Sequence, residues 1–339
     1  MFDWLDPYWF LIIGSVKAVI IAVAVMSAVP ALVWLERRLL GRFQVRLGPN
    51  RVGPLGLGQL IADSIKLLFK ESIVQSSADK FLFHLAPAIV VFTSIVTFSV
   101  IPFGTSYELG GETVGLWGAN TNIGLLLFLA MSSMGIYGIV MAGFSSNNKY
   151  SLMGGLRSSA QMISYELTLG LAALAVVIMT GSLNLAEIVN QQGNIAGWNI
   201  WYQPLTFLLF FVAGIAETNR APFDLPEAEQ ELVAGFFTEY SGMKFSMFFM
   251  GEYINMITMS ALVTVLFLGG WHAPVDFLDV PIIWFVGKVF FLLCVFIWIR
   301  ATFPRIRYDR LMAFGWKFLL PLSLGNMLIY GTLKALSII

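Results

Sequence analysis

The chain has 339 residues, 58% of them hydrophobic and 12% charged, whereas a soluble domain carries about 25% charged and roughly 45–50% apolar residues. A water-soluble domain is excluded, and the balance of 20 Lys and Arg against 20 Asp and Glu gives none of the basic excess of a nucleic-acid binder. A single cysteine, Cys294, and two histidines, His84 and His272, leave no basis for an internal disulfide, a Cys/His metal centre or an iron–sulfur cluster.

A membrane-spanning helix needs roughly 20 mainly apolar residues. Eight stretches are candidates: Tyr8–Trp34, Phe81–Ile101, Ile123–Phe144, Ala160–Thr180, Trp198–Ala216, Phe245–Gly269, Pro281–Ile299 and Phe318–Ile338. The opening is acidic and aromatic rather than basic, so the first stretch is expected as a retained helix, not a cleaved signal. Between the first two, Leu57, Leu60, Ile61, Ile65 and Leu68 share one helical face and Gln59, Asp63, Lys66 and Lys70 the other. That pattern suits an amphipathic helix lying in the membrane interface, or one packed on a partner protein. The fifth stretch is the weakest, because its cleanly apolar part, Leu205–Ala216, runs straight into Glu217. A broken or re-entrant helix, tolerated where it lines a cavity, is the alternative there.

Positive loops stay cytoplasmic, and 17 of the 20 Lys and Arg fall in four of them, about 35–80, 145–159, 217–244 and 300–317. The alternate loops, 102–122, 181–197 and 270–280, hold acids such as Glu108, Glu112, Glu187 and Asp276 and no Lys or Arg. The expected architecture is all-α: a single transmembrane domain over 1–339 with about eight crossings, an interfacial helix and both termini outward.

Ionisable residues inside spanning helices are costly and therefore candidates for function. Here they are Glu166, Glu252 beside Tyr253, and Lys288, the glutamates suited to a proton path or else neutralised by a structural partner such as Lys149 or Arg157. His84 and Lys17 lie near helix ends and can snorkel to the interface. The segment from Glu217 to Glu239 gathers Glu217, Asp224, Glu227, Glu229, Glu231 and Glu239 against only Arg220 and Lys244. Pro222 and Pro226 interrupt it, Glu227 and Glu231 repel each other at i,i+4 spacing, and the interleaved Phe223, Leu225, Leu232 and Val233 argue against a merely solvated loop. In the first inner loop, Arg38, Arg42 and Arg46 are spaced to line one helical face before a Gly48-Pro49-Asn50 turn. Anionic headgroups or the polar head of a lipidic substrate would both suit such a stripe.

These segments carry a resemblance. Glu36-Arg37-Arg38 through Gly48-Pro49-Asn50-Arg51-Val52-Gly53, Ala62-Asp63, Lys66 to Glu71, Ser145 to Leu152, Arg157 with Gln161 and Ser164-Tyr-Glu166, Ala216 to Glu231, Glu239-Tyr, Gly251-Glu-Tyr253, Arg300-Ala, Pro304-Arg and Arg307-Tyr-Asp309 closely resemble one family of NADH:quinone oxidoreductase (respiratory complex I) membrane subunits, that of mitochondrial subunit 1 and its bacterial counterpart. The resemblance implies a membrane subunit walling a ubiquinone or menaquinone chamber and coupling quinone reduction to proton translocation. It implies Arg37, Arg38, Arg46 and Asp63 around the chamber, Glu217, Asp224, Glu227, Glu229 and Glu231 in a coupling loop, and Glu166, Glu252, Tyr253, Lys149 and Arg157 on a path toward the membrane interior. Quinone would be substrate, with no metal, flavin or iron–sulfur cluster held by this chain. The implied partners are peripheral iron–sulfur and quinone-site subunits on the cytoplasmic side, small membrane subunits laterally, and lipids, in the bacterial cell membrane or the inner mitochondrial membrane. The residues alone also allow a cation/proton antiporter or a structural anchor, and the membrane subunit of energy-converting hydrogenases is the nearest rival within the superfamily.

Overall fold

A computed structural model describes residues 9–109, 112–224, 234–274 and 280–336. It is helical almost throughout. In chain order come α1 (Trp9–Phe43), α2 (Gly58–Phe69), α3 (Lys80–Ser99), a short hairpin of β1 (Ser106–Leu109) and β2 (Glu112–Gly115), α4 (Gly124–Ser145) and α5 (Lys149–Thr180). Then follow α6 (Leu185–Gln191), α7 (Asn199–Tyr202), α8 (Pro204–Glu217), α9 (Gly242–Phe267), α10 (Pro281–Thr302), α11 (Tyr308–Phe314), a π-helical turn over Gly315–Leu319, and α12 (Leu320–Ala335). Tyr165 of α5 donates to Leu311 O at 2.9 Å just before that π turn.

Seven helices among the described residues are long and apolar enough to cross a membrane, the last being the continuous rod Tyr308–Ala335. The polytopic all-α architecture is therefore as expected, but the fifth candidate is shorter than a crossing. α8 has 14 residues, about 21 Å at 1.5 Å each, short of the ~30 Å hydrocarbon core. Its outer start is tied to α5 by Gln203 Nε2 donating to Ala175 O at 3.1 Å, and its inner end by Gln161 Nε2 donating to Ala216 O at 2.8 Å. The rest of the thickness is filled by loop, with Thr218, Asn219, Arg220, Phe223 and Asp224 all buried. The broken-helix alternative, a short helix completed by loop, describes this segment better than one continuous span.

Two boundaries also move. The expected inner loop 145–159 shrinks to a turn, because Asn148 caps α5 by accepting from Tyr150 N at 3.0 Å and the helix runs from Lys149. The Ser and Gly face of its first turns is buried against the returning loop: a Cβ at Gly154 would lie 2.6 Å from Gly235 Cα. Similarly, α1 continues nine residues beyond Trp34 to Phe43, so the basic cluster begins on helix rather than in a loop. The interfacial helix α2 forms where expected and buries none of its residues, with Ile61 65% and Leu68 61% exposed. The hairpin in the outer loop, with Ser106 paired to Gly115, has no counterpart in the helical reading.

α9 occupies the centre, every residue from Met256 to Phe267 being buried. At the inner end an aromatic cluster fastens the chain where it returns at Ala234: Tyr240 stacks on Phe83 at 4.1 Å, and Phe236 meets Phe248 edge-on at 5.5 Å. Burial pushes the Tyr240 phenol up to about 12, so it stays neutral.

The charge asymmetry places the hairpin and the turn before α3 on opposite sides of the membrane. Single cysteines at the exposed Ser106 and Ser76, in a chain with Cys294 replaced, are expected to react with an impermeant thiol reagent from opposite faces. Reaction of both from one face would overturn this topology.

Candidate functional site

From Ala18 to Leu35 the first helix carries no charge, and Glu36 ends that run. It is 4% exposed, and a buried carboxylate costs several kcal/mol unless it is paired. Two helices and a loop meet that need. Arg300, in the last turn of α10, donates to Glu36 Oε1. Tyr253 of α9 donates its hydroxyl to Oε2 at 2.8 Å. Arg220, buried in the loop after α8, brings Nη1 to 3.8 Å from Oε1 and lays its guanidinium 4.1 Å from the centre of the Tyr253 ring. The Nε and Nη2 atoms of Arg220 have no hydrogen-bond partner among the described residues. Beside the cluster a small recess is lined by Glu36, Arg220, Arg300, Met256, Phe296 and Ile297. Two cations, a phenol and an apolar wall suit a lipidic molecule with a polar head that can take on negative charge.

Deeper in, Glu217, Asn219, Glu252 and Asn255 line a small cavity, and Glu217 also borders a second with Ser132, Asn255 and Thr258. Glu217 shares a cavity wall with Ser132 and feels the charge of Glu166, while Glu166 accepts from Ser133 Oγ. The charge of Glu252 in turn reaches Arg220. Three of the expected acids, Glu166, Glu217 and Glu252, thus follow one another from α5 to the Glu36 cluster, with Tyr253 inside that cluster.

The loop that makes this junction is held from α5. Gln161 Nε2 bridges Ala216 O and Phe223 O, both at 2.8 Å, and Asn219 Nδ2 donates to Ser158 Oγ at 3.1 Å. On the far side Ile306 N donates to Pro222 O at 3.1 Å, and Arg305 pairs with Asp224 at 3.0 Å. Glu227, Glu229 and Glu231 lie outside the described residues. Beyond them, Glu239 accepts from Asn148 Nδ2 at 2.8 Å.

The remaining expected residues are placed less centrally. Arg37 pairs with Asp63 of α2 at 2.6 Å, an exposed bridge fixing that helix against α1. Arg38 donates to Leu55 O at 3.2 Å and lies over Trp34. Arg46 does not continue the stripe of Arg38 and Arg42: α1 stops at Phe43, Val45 turns left-handed at φ 54°, and Arg46 Nε bonds locally to Gln44. Lys149 stacks on Tyr150 and Arg157 on Tyr308, whereas the hydrogen-bond partner of Glu166 is Ser133. Sequence reasoning assigned no role to Glu36, Arg300, Ser132, Ser133 or Gln161. The signal for Glu36 was its place as the first acid after 18 uncharged residues; serines and a glutamine inside helices gave none. No group of three or more His, Cys, Asp or Glu able to hold a metal occurs among the described residues.

A family model described as NADH dehydrogenase matches residues 16–331. The chain is 52% identical over 341 residues to an NADH-quinone oxidoreductase subunit of Geobacter metallireducens, covering 97% of this chain and 98% of that one. It is 52% identical over 303 residues to the corresponding NADH-quinone oxidoreductase subunit of Protochlamydia amoebophila, covering 89% and 92%. With NADH-quinone oxidoreductase subunit 8 of Thermus thermophilus the identity is 51% over 333 residues, covering 98% and 89%.

The two ion pairs on α1 differ in what their loss would cost. Glu36→Ala strands buried Arg220 and is expected to destabilise by about 3–5 kcal/mol, whereas Arg37→Ala breaks an exposed bridge worth about 1 kcal/mol or less. Thermal melts of the two variants in detergent would rank them, and equal melting points would refute the assignment of Glu36 as the buried junction.

Proposed function

The chain belongs to the NADH dehydrogenase family, and on that premise we propose that it is the membrane subunit of an NADH-quinone oxidoreductase that walls the quinone chamber and couples quinone reduction to proton translocation. The observation that carries this is the recess beside Glu36, Arg220, Arg300 and Tyr253, continued electrostatically through Glu252 and Glu217 to Glu166.

The physical argument is one of charge. Reducing a quinone to a quinol consumes two electrons and two protons, and electrons arriving first leave negative charge on the head. A unit pair about 4 Å apart interacts by roughly 4 kcal/mol at an effective dielectric near 20, equivalent to about three pKa units. Arg220 and Arg300 are cations placed to stabilise such charge. Stabilising it weakens their hold on Glu36 and on Glu252. Glu217 stands next in line, on the wall between two cavities, and Glu166 after it. The proposed coupling loop, Glu217 to Glu231, begins at this junction and is clamped on both sides of its acids, so a charge change at Arg220 bears directly on it. Arg37 and Asp63 hold α2 at the mouth, with Arg38 bracing the preceding turn. The electrons come from partner subunits on the cytoplasmic side carrying iron–sulfur centres. The apolar face of α2 meets lipid, and small membrane subunits pack laterally. Both termini face outward.

In the assembled complex, Glu217→Gln is expected to leave electron transfer from NADH to artificial acceptors intact while lowering quinone reduction and proton pumping together by about tenfold, some 1.4 kcal/mol. The double change Glu227→Gln and Glu231→Gln is expected to act in the same direction. Quinone-linked pumping at wild-type rate in both variants would remove the acids from the coupling path.

A further inference from the structure

One ionisable group stands apart from this inner cluster. Lys288, near the outer end of α10, donates its Nζ to three backbone carbonyls: Leu268 at 2.6 Å, Gly270 at 3.0 Å and His272 at 2.8 Å. It also lies 4.4 Å from the centre of the Trp198 ring. An ammonium has three donors and no acceptor, so its capacity is fully used. The carbonyls belong to the chain just past α9, where a helix leaves acceptors without partners and its dipole favours a cation.

This cage is built by the backbone. Gly269 and Gly270 adopt φ of +68° and +50°, a region that favours glycine, and a Cβ at Gly269 would meet Trp198 Nε1 at 2.4 Å. Neighbouring groups are taken by two more buried side chains. Gln192 donates to Val265 O at 2.9 Å and accepts from Gly269 N at 3.0 Å, and Asn199 donates to Leu266 O at 2.8 Å. The outer end of α9 is thus tied by side chains to α6, α7 and α10. Glu252 and Tyr253 sit about 24 Å along the same helix, joined to that end by the unbroken buried run Met256–Phe267.

We propose that Lys288 is a positioning residue: a fixed cation whose carbonyl cage sets the height of α9, and with it the placing of Glu252 and Tyr253 against Glu217, Arg220 and Glu36. The functional consequence rests on the quinone-linked reading of that cluster; the lock itself does not.

The test compares Lys288→Met, Lys288→Gln and Lys288→Arg in the assembled complex, with electron transfer from NADH to an artificial acceptor as the assembly control. Arginine keeps the charge and donors but does not deprotonate. Amide hydrogen exchange over residues 264–272 is expected to speed up at least tenfold in the Met variant and to return to within about threefold of wild type in the Arg variant. Quinone-linked turnover is expected to follow the same order, falling several-fold in Met and recovering in Arg. Should Met not assemble, Gln, which keeps donors for two carbonyls without the charge, takes its place. Unchanged exchange in the neutral variants, loosened exchange with unchanged turnover, or an Arg variant no better than Met would each overturn the proposal. Failure of the quinone reading alone would appear in Glu217→Gln and leave the exchange result standing.

Discussion

A charge inside a lipid-spanning bundle must be compensated within the protein, and this requirement organises the inner half of the molecule around Glu36. Its carboxylate draws Arg300 from the end of α10, Tyr253 from α9 and Arg220 from the loop after α8. Neither Glu36 nor Arg220, the two buried charges, could be held at that depth alone. The loop can therefore occupy membrane thickness without being a helix: Gln161, Ser158 and Ile306 supply its backbone and side-chain bonds, as non-helical backbone in a membrane protein demands. The shortness of α8 and the burial of Arg220 have one cause, since ending the helix at Glu217 is what brings the guanidinium level with Glu36.

How legible this was in the sequence depends on the kind of signal. Hydrophobic length located the spanning helices, and period-3.6 alternation located α2, because burial in lipid acts on every residue of a segment at once. The start of α5 was hidden because Ser151, Gly154, Gly155, Ser158 and Ser159 dilute the apolar residues of its first turns; Ser151 and Gly154 pack on the loop around Gly235, a tertiary contact invisible to a hydropathy window. For the site, the acids Glu166, Glu217 and Glu252 were legible as costly residues in apolar surroundings. Their partners were not. Lys149 and Arg157 were the obvious counter-charges by sequence distance, yet the hydrogen bond to Glu166 comes from Ser133 of α4. A neutral hydroxyl can serve there because the acids need not all be ionised together, and a serine costs little in a membrane helix.

The two ends of α9 embody opposite uses of charge. At the outer end one cation is matched to three carbonyl dipoles by geometry that two left-handed glycines impose, and all its hydrogen-bonding capacity is consumed. At the inner end Arg220 keeps two nitrogens uncommitted beside an apolar recess, and its carboxylate partner is shared with a second guanidinium. Saturated coordination resists change because any displacement loses hydrogen bonds that the buried surroundings cannot replace. Shared coordination yields more readily, because a charge arriving in the recess competes directly with Glu36 for the same cations. A rigid, buried helix that is locked at one end and carries exchangeable charge at the other lets local electrostatic change move the inner side chains and loop rather than displace the whole bundle.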